Sequence, residues 1–219
     1  MSRLPEDISA FIFDLDGVIF DSERAVFIEW KLIAEKYGFP NLEEPYAKCI
    51  GVNADTCRQI FLDYYGADFP YDAYCEERRR NFRDKYSHGR LPLKPGVIEL
   101  LESLKKKGFL TAVASSTRIE SVREEIRDAG LLKCFDVIVG GDQVERSKPA
   151  PDIFLKAAEK LDILPGDCCV IEDSYNGIRA ASAAGMLPVM VPDMLPPNDE
   201  MRGKAGLIAD SLVEIRRLF

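Results

Sequence analysis

Phe11-Ile-Phe-Asp-Leu-Asp-Gly-Val-Ile-Phe20 begins as an apolar run, with Asp14 at its end, Asp16 two residues later and Gly17 directly after. A short apolar run that stops at turn residues predicts a fully buried strand. In open α/β sheets, carboxylates at the carboxyl end of such a strand lie in the crevice where ligands bind. Asp-Gly is also common in ordinary polar turns. Burying two like charges is costly without a cation or hydrogen bonds, so the stretch suggests a metal or a cationic partner.

Composition limits the partners that the chain can have. Its 219 residues suffice for one large core or two smaller ones, and 47% hydrophobic with 30% charged residues is ordinary for a globular protein. A net charge of −8 disfavours broad attraction to nucleic acid or anionic membranes. No apolar run approaches the ~20 residues of a membrane span. We therefore expect no nucleic-acid partner and no membrane partner.

The cysteines and the N-terminal sequence bear on the compartment. The six cysteines show no paired metal-ligand spacing, and Cys168 and Cys169 lie inside an apolar strand pattern, where thiols behave as small hydrophobes. Residues 1–7 lack the hydrophobic segment of a signal peptide. We expect a reduced, cytoplasmic protein that is a monomer or a weak dimer.

Two different patterns divide the chain. Between residues 19 and 88 the pattern is helical and no strand interrupts it, with helices predicted over 22–37, 54–65 and 71–86. Residues 89–96 contain two prolines and two glycines and predict a linker. From residue 97 helices alternate with strands, which are predicted over 110–114, 137–139, 168–172 and 187–191, with a short edge strand over 207–209.

Alternating strands and helices are typical of a parallel, doubly wound sheet. The predicted fold is therefore an α/β core made of residues 1–18 and 89–219, with a helical domain of residues 19–88 inserted after the first strand.

Polar residues follow three more of the predicted strands. Ser115-Ser-Thr-Arg118 leads into a helix, whose N-terminus offers amides and hydroxyls to a phosphate, although Ser and Thr also serve as ordinary helix caps. Lys148 lies between a turn and two prolines, which suits a fixed countercharge but also an ordinary loop lysine. Glu172 and Asp173 form a second acidic pair; with Asp14 and Asp16 they make an oxygen-rich cluster suited to Mg²⁺.

The motifs in this order resemble a known superfamily. Asp-Leu-Asp-Gly at Asp14, the strand-end Ser115, Lys148-Pro and Glu172-Asp-Ser are similar to the four motifs of haloacid dehalogenase-like proteins. The resemblance covers essentially the whole chain and is closest to the phosphatase and phosphomutase branch with an inserted helical cap. It implies a Rossmann-like core covered by that cap.

The resemblance also implies catalytic roles. Asp14 would be the nucleophile that forms an aspartyl-phosphate, and Asp16 would be the general acid and then the general base. Lys148 would neutralise charge on the nucleophile and on the phosphate. Ser115 and the amide of Ser116 would hold the oxygens of the transferring phosphoryl group.

The implied cofactor is Mg²⁺. Its ligands would be Asp14, the backbone carbonyl of Asp16, and Asp173, with Glu172 bound directly or through water. Dehalogenation in this superfamily does without the second aspartate and the metal, so the presence of Asp16 argues against that reaction.

The predicted cap departs from the mutases at two positions. They carry a histidine near the place of Val26 and an arginine at the place of Ala54, which grips a distal phosphate. Arg58 lies one helical turn later, and with Gly51 and Asn176 it is a candidate substrate contact. Four arginines of the third predicted cap helix could contact a phosphorylated or acidic substrate, or could form a solvated face opposite neighbouring glutamates: Arg78, Arg79, Arg80 and Arg83.

Three functions remain in view. The first is a Mg²⁺-dependent phosphatase acting on a small phosphorylated metabolite, for which we expect a sugar phosphate. The alternative is a phosphosugar mutase resembling β-phosphoglucomutase. The third, a signalling module that accepts phosphate, is disfavoured by the insertion of ~70 residues, which is sized to enclose a ligand as water-excluding lids do.

Overall fold

The computed structural model describes residues 7–50 and 54–218. Within these ranges, six parallel strands form one sheet in the order β3-β2-β1-β4-β5-β6. The strands are β1 (Ala10–Phe13), β2 (Leu110–Ala114), β3 (Val137–Val139), β4 (Cys168–Glu172), β5 (Leu187–Met190) and β6 (Leu207–Ile208). This order confirms the predicted doubly wound α/β sheet.

Strand β1 lies at the centre and is buried on both faces. Phe11 and Phe13 belong to the apolar core on one face, and Ala10 and Ile12 to the core on the other. An unbroken apolar sequence is what a central parallel strand needs, because helices cover both of its faces. The register pairs Ala10 with Leu110 of β2 and with Cys168 of β4.

Helices cover both faces of the sheet. The Phe11 face packs against α5 (Val97–Lys106), α6 (Ile119–Asp128) and α10 (Leu212–Arg216). The Ile12 face packs against α7 (Asp152–Leu161) and α8 (Tyr175–Ala183). A short helix, α9 (Asp199–Lys204), was not predicted; Met201 anchors it by packing against Ile178 and Met190.

The predicted helical segment forms α1 (Ser22–Tyr37), α2 (Glu43–Cys49), α3 (Ala54–Tyr65) and α4 (Tyr71–Tyr86). Trp30 stacks on Phe61 with ring centroids 4.9 Å apart and on Tyr71 at 5.7 Å. These aromatic side chains belong to an apolar cluster distinct from those on the two sheet faces. Helix α2 was not predicted individually, because Pro45 within it and Pro40 before it conceal a helix that Tyr46 anchors in this cluster.

No described helix combines the length and the apolar character that a membrane span requires.

Candidate active site

The carboxyl ends of β1, β2 and β4 meet at one edge of the sheet. The chain runs from β1 to β2 and β3 on one side, and the later strands lie on the other, so the strand order reverses beside β1. Ligands bind at such a point in open α/β sheets. A cavity of about 530 Å³ opens there, and its lining includes Asp14, Ser115 and Glu172 from the strand ends.

A buried lysine joins two of these strand ends. The Lys148 Nζ lies 2.5 Å from Asp14 Oδ1 and 2.7 Å from Glu172 Oε1, and it donates to the carbonyl of Ala114 at 3.3 Å. The Lys148 side chain is only 7% exposed. Burial opposes its charge, but Asp14 and Glu172 outweigh this and leave the pKa of Lys148 above its usual value. Lys148 is therefore a fixed cation in the cavity wall.

The other oxygen of Glu172 is held by the start of α8. Oε2 accepts hydrogen bonds from the Ser174 amide at 2.8 Å and from the Ser174 hydroxyl at 2.9 Å. Ser174 also caps α8 by accepting from the Gly177 amide at 3.0 Å. A Cβ on Gly177 would overlap the Glu172 carboxylate, so only glycine permits this close approach.

Asp16 has separate partners. Ser22 donates to its Oδ1 at 2.7 Å, and Thr117 donates to its Oδ2 at 3.3 Å. Gly17 follows with φ 77°, and a Cβ there would overlap the Asp173 carboxylate. The turn therefore directs Asp16 away from Asp14 and leaves room for Asp173.

Three carboxylates form a cluster that fits a divalent cation. Asp14, Glu172 and Asp173 each offer an oxygen, and these oxygens lie within 4.8 Å of one another. Burial raises the pKa of Asp14 to about 7, with Lys148 opposing the shift, and burial beside Glu172 and Asp14 raises that of Asp173. A hard cation would relieve the repulsion among these carboxylates.

The Asp16 carboxylate is not part of this cluster. A contribution of Asp16 to a metal would come from its backbone carbonyl, as the sequence analysis expected.

The remaining predicted residues have different positions. Ser115 is buried at the end of β2 and its hydroxyl accepts from the Thr117 amide at 3.0 Å. Ser116 and Asn176 line the cavity. Gly51 lies outside the described residues.

Arg58 is not among the cavity-lining residues. It instead pairs with Asp72, with the Arg58 Nε 3.0 Å from both carboxylate oxygens on the exposed surface. An exposed pair of this kind is worth ~0–1 kcal/mol, so a contact between Arg58 and substrate stays a prediction.

The far wall of the cavity comes from α1 to α4. Val26 and Ala54 line it, together with Trp30 and the arginines Arg78 and Arg79. The Arg78 guanidinium carbon lies 5.9 Å from the centre of the Trp30 ring, and its buried Nε has no hydrogen-bond partner in the part of the chain described.

Glu23 lines the same wall. Burial raises the pKa of Glu23 to about 7, with Asp16 and Asp193 adding to the shift and Arg78 opposing it.

A family model described as haloacid dehalogenase-like hydrolase matches residues 11–191. The chain belongs to this family. It is 36% identical over 183 residues to the phosphorylated carbohydrates phosphatase of Thermotoga maritima, covering 82% of each chain. It is 34% identical over 191 residues to the beta-phosphoglucomutase of Bacillus subtilis, covering 84% of this chain and 83% of that one.

A solved structure agrees with these relatives. A haloacid dehalogenase family hydrolase of Deinococcus radiodurans, determined with bound phosphate and sodium, superposes with a TM-score of 0.81 at 27% identity, covering 98% of this chain and 99% of that one. The protein is thus a haloacid dehalogenase-like enzyme, a phosphatase or a phosphosugar-related relative of the phosphatases.

The sequence analysis missed several residues of this haloacid dehalogenase-like site. It gave no role at Asp16 to residue 22, the predicted start of a helix, or to Thr117, although the hydroxyls of Ser22 and Thr117 both donate to Asp16. It also favoured a solvated arginine face on α4. The sequence did indicate that Arg78 faces inward. It lies seven residues after Tyr71 and three after Cys75, spacings that place it on the same helix face as these two buried residues.

Lys148→Ala should destabilise the metal-free protein by ~3–5 kcal/mol at pH 8, because it leaves buried carboxylates without their cation. Removing the cation raises the pKa of Asp14 further, and an acid with a raised folded-state pKa favours folding when it is protonated. The loss should therefore shrink as the pH falls to 5. Urea unfolding in excess chelator measures both effects.

Lys156→Ala is the matched control, because Lys156 forms an exposed pair with Glu159 that is worth ~0–1 kcal/mol. Equal destabilisation by the two variants would contradict the role assigned to the buried lysine.

Proposed function

We propose that the protein is a Mg²⁺-dependent phosphatase that hydrolyses a small phosphorylated metabolite, such as a sugar phosphate, through an aspartyl-phosphate. The observation that carries this proposal is the buried Lys148 between Asp14 and Glu172, beside Ser115 at the neighbouring strand end. A carboxylate can attack an anionic phosphate ester only where positive charge offsets the repulsion of the two anions.

Asp14 is the nucleophile in this mechanism. Its carboxylate oxygen attacks phosphorus, and the bond from phosphorus to the alcohol oxygen breaks. Lys148 binds Asp14 before the attack and neutralises charge as the phosphoryl group approaches. Ser115 and the Ser116 amide, at the start of the segment leading to α6, bind the phosphoryl oxygens and hold them in line.

Asp16 moves the protons. It gives a proton to the departing alcohol oxygen, then takes one from the water that attacks phosphorus and releases inorganic phosphate from Asp14. Ser22 and Thr117 orient its carboxylate from two sides. These two donors keep Asp16 beside the phosphoryl group without joining it to the carboxylate cluster.

Asp14 and Asp173 would hold Mg²⁺, with the backbone carbonyl of Asp16. Glu172 would reach it directly or through water; both of its oxygens are already engaged by Lys148 and Ser174, which favours the water. When bound, the ion supplies positive charge to the phosphoryl oxygens.

Residues 19–88 are proposed to be a cap domain that supplies substrate contacts. Support comes from their separate apolar cluster and from the cavity wall that α1, α3 and α4 contribute. Arg78 offers a cation whose buried Nε has no hydrogen-bond partner among residues 7–50 and 54–218, and Glu23 offers a carboxyl group in the same wall. Together they suit a metabolite whose far end carries hydroxyl or anionic groups.

Asp14→Asn should abolish turnover and leave the fold intact, because an amide is a poor nucleophile. The measurement is phosphate released from p-nitrophenyl phosphate, with circular dichroism as the check on folding. A folded variant that keeps more than about a hundredth of the wild-type rate would remove Asp14 from the nucleophile's role, since losing a nucleophile leaves only a small residual rate.

Chelation should abolish activity and Mg²⁺ should restore it. If Mg²⁺ binds only the folded state, a Mg²⁺ concentration of a hundred times its Kd adds ~2.7 kcal/mol to the free energy of unfolding. For a chain of this size, that gain raises Tm by roughly 5–10 °C. Thermal unfolding with and without Mg²⁺ therefore tests the site without an activity assay. Asp173→Asn should lose most of this rise in Tm. A full rise in that variant would place the metal site elsewhere. Full activity of the wild type in excess chelator would remove the metal from the mechanism.

Arg78→Ala should raise KM for the best substrate of a phosphorylated-metabolite panel by roughly 10–100-fold, the equivalent of a charge-assisted hydrogen bond of ~1.5–3 kcal/mol. The KM for p-nitrophenyl phosphate should change little, because its leaving group offers no such partner. Arg80→Ala is the control, since Arg80 is exposed on the same helix and is not among the residues that line the cavity. Equal effects on both substrates would contradict contact with the far end of the metabolite.

The enzyme should hydrolyse phosphate esters rather than isomerise phosphosugars. Val26 and Ala54 line the cavity where mutases carry a histidine and an arginine. Without that arginine a bisphosphate intermediate lacks a contact of ~1.5–3 kcal/mol, or roughly ten- to a hundredfold in retention.

The deciding assay supplies β-glucose 1-phosphate with a trace of the bisphosphate and follows glucose 6-phosphate against free phosphate. If glucose 6-phosphate forms much faster than free phosphate, the result favours a mutase. A mutase is the second candidate function because of the similarity to the Bacillus subtilis beta-phosphoglucomutase. Ala54→Arg should shift the product ratio towards the isomer.

A further inference from the structure

Two cysteines meet in the far wall of the cavity and have no part in the mechanism above. Cys49 is the last residue of α2, and Cys57 lies in the first turn of α3. The Cys49 Sγ donates to the carbonyl oxygen of Cys57 at 3.7 Å, which makes the two residues direct neighbours. Both are half-buried and line the cavity, so a small molecule that enters it can contact them.

The surroundings distinguish the two thiols. The hydroxyl of Tyr71 lies 3.4 Å from the Cys57 Sγ and donates to it, and the Arg78 guanidinium belongs to the same wall. The Cys49 thiol lowers the pKa of Cys57 to about 7; burial opposes the shift, and Tyr71 and Arg78 add to it. The pKa of Cys49 moves in the opposite direction, because its thiol is held by Cys57. Cys57 is therefore placed to react first and Cys49 to react second.

We propose that Cys49 and Cys57 are a peroxide-reactive thiol pair whose reversible disulfide lowers the activity of the enzyme. In the first step the Cys57 sulfur attacks one oxygen of a hydroperoxide, the oxygen–oxygen bond breaks, and the products are a sulfenic acid on Cys57 and an alcohol or water. In the second step the Cys49 sulfur attacks the Cys57 sulfur, a disulfide forms and water leaves. The two thiols are oxidised by two electrons, the peroxide is reduced by two, and a small dithiol reverses the change.

The link to activity follows from where the two residues lie. A disulfide would tie the end of α2 to the start of α3 and take the Cys57 sulfur away from the Tyr71 hydroxyl. Tyr71, Arg78 and Trp30 line the same wall, so the bond changes the surface that faces the substrate. We expect kcat/KM for the best substrate to fall at least threefold and to recover with dithiothreitol.

The first experiment measures chemistry alone and does not depend on the phosphatase proposal. The Tyr71 hydroxyl donates to the Cys57 sulfur, and the pKa of Cys57 is lowered to about 7. At pH 7 iodoacetamide should therefore label Cys57 severalfold faster than a reference cysteine. The reference is Cys134, a half-buried cysteine that is not among the cavity-lining residues. After hydrogen peroxide, peptide mass mapping should find a disulfide between Cys49 and Cys57, with a loss of two hydrogens.

Serine variants separate the two steps. Cys57→Ser should prevent both the disulfide and the reversible inactivation. Cys49→Ser should stop at the sulfenic acid, which dimedone traps on Cys57. Cys134→Ser should keep the full response to peroxide and its recovery with dithiothreitol.

Three results would overturn the proposal. The first is that both thiols stay free after peroxide treatment while other cysteines oxidise. The second is a disulfide between Cys49 and Cys57 that leaves kcat/KM unchanged. The third is loss of activity in the Cys57→Ser variant on treatment with peroxide, which would assign the inactivation to another residue. An enzyme with no phosphatase activity would still give the labelling and mass results, so the two proposals fail separately.

Discussion

The contact on which the site depends is the ammonium of Lys148 between the carboxylates of Asp14 and Glu172. Asp14 and Glu172 lie at two strand ends, and Lys148 lies in a loop. Asp14 and Lys148 are 134 residues apart along the chain, so the sheet must form before they meet. A buried charge left alone costs far more than the pair returns in stability. The arrangement is therefore better explained by the reactivity of the site than by stability. The apolar core around it offsets the free energy that burying these charges costs.

Glycine is what allows the carboxylates to crowd together. Gly17 and Gly177 approach Asp173 and Glu172 so closely that any side chain at either position would collide with an acid. The two glycines thus leave space for the carboxylates of Asp173 and Glu172. The repulsion among the three carboxylates remains, and a cation would relieve it. Packing and electrostatics act in opposite directions here: the sheet brings the acids together, and their charges push them apart.

Much of this could be predicted from the sequence. The alternation of apolar runs with glycine-terminated helices gave the strand bounds almost to the residue, and strand ends in a parallel sheet share one edge, which brought Asp14, Ser115, Lys148 and Glu172 together in advance. The side-chain contacts of helices α1 to α4 were harder to predict. They depend on which face of α4 turns inward, and the charged run over 76–80 concealed the position of Arg78 beside Trp30. The sequence spacing also gives no sign that Arg58 pairs with Asp72.

The position of β1 at the centre of the sheet affects how the chain can fold during synthesis on the ribosome. Ala10 pairs with Leu110 and Cys168, so the central strand is synthesised about 100 residues before the first of its two neighbours. At ~5–20 residues per second, an apolar strand waits roughly 5–20 s for β2 to be synthesised. The aromatic cluster of Trp30, Phe61 and Tyr71 needs only local contacts and can assemble during that interval. The helices between β1 and β2 thus have apolar contacts of their own at a stage when β1, an apolar strand, is still without a partner.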